Sequence, residues 1–135
     1  MLGEIDCRVH IINQFIKNNK NIDYNMKEII DRYMMCVIDL KKKGYKPIVF
    51  AIHPPTTVIV NFQDIIKIVW LYNEVLKEKC IIHSVIFCNV FYELMISSDV
   101  PNDTLYIDDI HLNGKLVRSI YEKKIQELIL NEPNE

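Results

Sequence analysis

Met26, Ile29, Ile30, Tyr33, Met34, Val37 and Leu40 recur in steps of three and four, the period of one helix face, and predict a helix over residues 25–43. Asn25 and Glu28 are spaced like a capping pair, and Gly44 follows the last apolar position. Lys46-Pro47 then leads into Ile48-Val49-Phe50-Ala51-Ile52, an unbroken run of mostly β-favouring residues stopped by His53-Pro54-Pro55. A run apolar at every position suits a strand covered on both faces, as in parallel sheets. Asn61 and Asp64 offer caps to a second helix in which Ile65, Ile68, Val69, Tyr72 and Val75 or Leu76 share a face, ending near residues 77–80. A second apolar run covers residues 85–90, a short helical turn and loop fill 91–107, and a last helix spans about 113–130.

Helix, strand, helix, strand, helix is the alternation of an α/β domain with a parallel sheet, flanking helices and right-handed crossovers. Ligands of open α/β sheets bind beyond the carboxyl ends of the strands. Three sets of polar residues fall there: Asp6 and Arg8 after a short initial strand, His53 after the first long run, and Asp108 with His111 in the last loop.

Composition narrows the function classes. The 135 residues make one domain, and 50% hydrophobic with 25% charged residues is ordinary for a globular core. A net charge of −2 provides no electrostatic footprint for nucleic acid or an anionic membrane. The one basic run, Lys41-Lys42-Lys43 beside Gly44, reads as a helix C-terminus favoured by the macrodipole. No apolar stretch is long enough to span a bilayer, and Glu4, Asp6 and Arg8 interrupt the first apolar residues where a signal peptide would need continuity. A cytoplasmic setting is therefore expected. Cys7, Cys36, Cys80 and Cys88 lack the paired short spacings of zinc or dithiol centres, and reduced, mostly buried thiols are expected. His10 and His83 have no partners at metal-ligand spacing, so no metal and no cofactor is expected.

The chemistry concentrates in Tyr106-Ile107-Asp108-Asp109-Ile110-His111-Leu112-Asn113-Gly114. A carboxylate three residues ahead of a histidine can accept a hydrogen bond from one ring nitrogen, fix the tautomer and leave the other nitrogen to take a proton. The bland alternative is that Asp108 caps the last helix and His111 is a surface side chain, with Asp109 the better simple cap. His53-Pro54-Pro55 is either a stiff loop that lines a site or only the end of a strand. Cys7 between Asp6 and Arg8 reads as a structural thiol, since the two neighbours push its pKa in opposite directions. Serine occurs only at Ser84, Ser97, Ser98 and Ser119, none in a Gly-flanked elbow. With glycine only at Gly3, Gly44 and Gly114, a phosphate-cradling loop is excluded.

Four segments carry a resemblance. Gly3-Glu4-Ile5-Asp6-Cys7-Arg8-Val9-His10-Ile11, Pro47 through Pro55, Tyr72 through Cys80, and Asp108-Asp109-Ile110-His111-Leu112, in that order, resemble the latter part of SGNH (GDSL-like) hydrolases. The resemblance covers nearly the whole chain. It implies a three-layer, flavodoxin-like parallel α/β fold truncated at its N-terminus, and an ester hydrolase acting on acyl or acetyl esters, including those of carbohydrates. By that resemblance Asp108 orients His111, His111 is the general base, and Gly3, Asp6, Arg8 and His53 line the site. Ile5 stands where the family's Gly-x-Asn-Asp segment has an oxyanion-stabilising Asn. The family's Gly-Asp-Ser nucleophile has no counterpart in the sequence, so an inactive or incomplete hydrolase is expected. The alternative is a non-catalytic module that binds a partner or forms a homo-oligomer through an exposed sheet edge.

Overall fold

The computed structural model describes the backbone of residues 22–132, and side chains from Met26 onward. The described chain is a mixed α/β arrangement of three helices and a small parallel sheet: α1 (Ile22–Lys42), β1 (Ile48–Phe50), α2 (Phe62–Ile82), β2 (Ile86–Cys88) and α3 (Gly114–Leu130). Single 3₁₀ turns at Tyr92–Leu94 and Asp103–Leu105 punctuate the long connection between β2 and α3. The expected elements from the first long helix onward are present, with shifted bounds, and the short initial strand expected before Asp6 lies outside the described residues. Helix α1 begins three residues earlier than expected, so Asn25 lies inside it rather than capping it. Both strands are shorter than their apolar runs.

Val49 and Ile48 face opposite ways, as neighbours on a strand must, and each joins a different apolar cluster. On Val49's side, Met26, Ile30, Met34 and Val37 of α1 meet Ile65, Ile68, Val69, Tyr72 and Leu76 of α2. On the other, Cys88, Val90 and Leu94 pack with Val117 of α3, and Ile48 and Tyr121 border them. The strands pair in parallel with Ile48 opposite Ile86, Val49 opposite Phe87 and Phe50 opposite Cys88. α2 is the crossover between them.

The ladder continues one step past β1, where the Ala51 N–H donates to the Cys88 carbonyl at 2.9 Å. Ile52 then leaves the sheet and is met by a side chain: Asn73 Oδ1 accepts from the Ile52 N–H at 2.8 Å, and Nδ2 donates to the Ile52 carbonyl at 2.9 Å. A buried carboxamide thus replaces a strand neighbour and satisfies both backbone groups.

Two helix ends close in the same way. At α1 the Gly44 N–H reaches the Lys41 carbonyl and the Tyr45 N–H the Leu40 carbonyl; at α2 the Ser84 N–H reaches Ile81 and the Val85 N–H reaches Cys80. Both are Schellman closures, which need a left-handed residue at the turn. Gly44 has φ of 93° and Ser84 has φ of 53°. The Lys41 ammonium donates to the carbonyls of His83 and Ser84, at 2.8 and 3.0 Å, fastening one helix end to the other. Asn61 precedes α2 in a left-handed conformation with no side-chain cap, contrary to the expected role. Among the described residues no helix is long and apolar enough to cross a membrane.

Candidate functional site

The loops after β1 and β2 leave the carboxyl ends of two parallel strands and meet each other. Residues 53–57 follow β1, and the loop that carries Asp108 and His111 lies between β2 and α3. The second loop is closed at its base: the Ile107 N–H donates to the His111 carbonyl at 2.8 Å, Tyr106 bridges Leu112, and the Asn113 N–H donates to the Leu105 carbonyl at 2.7 Å. Asn113, not Asp109, caps α3, accepting from the Lys115 N–H at 3.1 Å. Asp108 and His111 therefore stand ahead of the helix rather than in its first turn.

Asp108 folds the tip of this loop around its own carboxylate. Oδ1 accepts from the N–H groups of Ile110 and His111 at 2.8 and 2.7 Å. Oδ2 lies 2.8 Å from His111 Nδ1. The His111 N–H, then the Ile110 N–H, then the ring hold the Asp108 carboxyl well below its ordinary range, at about 2. An ionised Asp108 favours the tautomer with the proton on Nδ1, which leaves the Nε2 lone pair outward. Both side chains are solvent-exposed, and among the described residues no hydroxyl is hydrogen-bonded to the His111 ring.

His53 is buried on the inner side of the same loop. Its Nδ1 lies 3.0 Å from the Pro54 carbonyl, which also accepts from the Tyr106 hydroxyl, and the two rings meet edge to face at 5.7 Å. Burial raises the Tyr106 hydroxyl pKa well above its ordinary value, so Tyr106 acts as a donor. His53, Ile59, Ile65 and Val69 line a small cleft of about 10 Å³ together with Asp109 and Ile110, room for no more than one water molecule. His53 thus supports the loop from behind.

Two threonines complete the contact between the loops. Buried Thr56 donates through Oγ1 to the Asp109 carbonyl at 2.7 Å. The Thr57 N–H donates to Asp103 Oδ1 at 3.0 Å, and its hydroxyl donates to Asp103 Oδ2. Sequence reasoning missed Thr56, Thr57, Tyr106 and Asn73 as supports, because each acts across a long sequence separation that no local period records.

Gly3, Asp6 and Arg8, with Ile5, Cys7 and His10, lie outside the described residues. Cys80 and Cys88 are buried as expected, while Cys36 is exposed on α1. Among the described residues no cluster of three histidine, cysteine, aspartate or glutamate side chains is arranged to hold a metal ion. No family model, curated protein or solved structure matches the chain.

Proposed function

We propose that this chain is an SGNH-hydrolase-like protein of the ester-hydrolase class, with Asp108 as the orienting acid and His111 as the base toward acyl or acetyl esters, those of carbohydrates included. One observation carries the reading: the 2.8 Å contact between His111 Nδ1 and Asp108 Oδ2, in a loop beyond the carboxyl end of a parallel strand. The finer fold that goes with it is a three-layer parallel sheet of SGNH type, supported by the two apolar clusters on opposite sides of β1 and β2.

The described serines do not complete a triad. Ser84 precedes β2 and so lies at the amino end of the sheet, opposite the dyad. Loss of a nucleophile leaves a triad with residual activity only, because base and nucleophile act as a unit. The chain alone is therefore a weak or silent hydrolase that retains a prepared base.

The test has two arms. A fluorophosphonate probe should label none of Ser84, Ser97, Ser98 and Ser119, and labelling of any one would overturn the account of the nucleophile. Titration with aryl acetates and acetylated sugars at millimolar concentration should shift the His111 and Ile110 resonances saturably, and a spectrum unmoved by all of them would sink the ester reading.

A second reading, a non-catalytic module that recruits another chain by strand addition, draws on the sheet. Among the described residues β1 and β2 each pair along one edge only. Light scattering after size exclusion tests it: a well-behaved monomer with two-state unfolding counts strongly against this reading.

A further inference from the structure

We propose that Thr56 is a positioning residue, whose hydroxyl bond to the Asp109 carbonyl aims the Asp108–His111 pair without taking part in it. This rests on reading that pair as a catalytic base. The pair is self-contained: both amides at the tip and the ring nitrogen all bond to the one carboxylate of Asp108. Those bonds fix the acid relative to the histidine, but they do not fix either relative to the sheet. Orientation toward a substrate needs a contact between the tip of the loop and the body of the protein. The Thr56 hydroxyl supplies one at the residue between Asp108 and Ile110, over a separation of 53 positions.

Thr56 is suited to that task. It is 2% exposed, so its hydroxyl bond is shielded from water. Pro54 and Pro55 stiffen the chain before it, the Tyr106 hydroxyl grips the Pro54 carbonyl, and Thr57 is anchored on Asp103. The first loop is thus a rigid template, and the second hangs from it at Asp109. A displacement of about 1 Å at a catalytic group costs on the order of a hundredfold in rate, so an aiming contact matters although it touches no substrate.

The experiment compares Thr56→Val, which keeps the shape and removes the hydroxyl, with Thr56→Ser, which keeps the hydroxyl, in the isotopically labelled full chain. In Thr56→Val the order parameters of the Ile110 and His111 amides should fall from about 0.85 to below about 0.6, while the His111 ring ¹⁵N shifts still report a proton on Nδ1. Thr56→Ser should restore the order parameters. Unchanged order in Thr56→Val would overturn the proposal, as would loss of the Nδ1 proton together with the order, which would make Thr56 part of the pair. In the unaltered chain the Thr56 hydroxyl proton should exchange slowly enough to be observed, and a freely exchanging hydroxyl would overturn the proposal even if Thr56→Val does not fold. None of these readouts needs turnover, so an inactive chain bears only on the ester reading.

Discussion

Asn73 holds Ile52 by both backbone polar groups, accepting from its N–H at 2.8 Å and donating to its carbonyl at 2.9 Å. Replacing Asn73 with Leu would leave a buried N–H and a buried carbonyl without partners, each costing about 1–3 kcal/mol. Asn73→Leu should therefore lower unfolding stability by roughly 2–4 kcal/mol in urea titration. A loss under about 0.5 kcal/mol would mean that water or another group replaces the carboxamide.

The low pKa of Asp108 implies a definite pH window. Its folded value, about 2, lies below the ordinary 3.8, so the ionised form favours the folded loop. That contribution is fully present above the ordinary value and disappears as pH falls from 3.8 toward about 2. A ¹³C titration should place the Asp108 midpoint near 2. Because the backbone N–H of His111 is the largest cause and that of Ile110 the second, His111→Ala should raise the midpoint only partway. A return to the ordinary value in His111→Ala would show that the ring, not the amides, holds the carboxylate.

The two Schellman turns make opposite predictions. Ser84 is left-handed with φ of 53°, where an L side chain is strained and glycine is not. Ser84→Gly should raise stability by about 0.5–1 kcal/mol, the strain relief exceeding the added freedom of the unfolded chain. Gly44→Ala, at φ of 93°, should cost about 1 kcal/mol or more. Thermal melts of both variants check the pair, and destabilisation by Ser84→Gly would contradict it.

Thiol chemistry should separate the described cysteines. Cys80 is fully buried and its pKa is pushed up to about 11 by desolvation; burial likewise raises that of Cys88. Cys36 is exposed. Under native conditions iodoacetamide followed by peptide mapping should modify Cys36 at least about tenfold faster than Cys80 or Cys88. Equal rates would mean that the two apolar clusters open readily.

The helices and strands were readable because their signals are periodic and local. Met26, Ile30, Met34 and Val37 recur at helical steps, and all four are buried. Strand bounds were not readable, since apolar character continues through Ala51 and Ile52 while the ladder gives way to Asn73. Of the site, the spacing of Asp108 and His111 allowed their contact as one of two readings, and it gave no sign that the two amides would share the carboxylate; the last helix starts where the sequence placed it, with Asn113 as its cap. The supports Thr56 and Tyr106 act across 53 and 52 positions, where no pattern within either segment names the partner.

The parallel arrangement of β1 and β2 also governs how the molecule assembles. Antiparallel strands can zip from a tight turn, but these two can meet only after α2 has turned the chain back on itself. The buried stripe of α2 then belongs to the kinetic bottleneck. Trimming Leu76 should slow refolding, whereas trimming Val117 on α3 should chiefly hasten unfolding, a contrast that the two arms of a chevron plot would display directly.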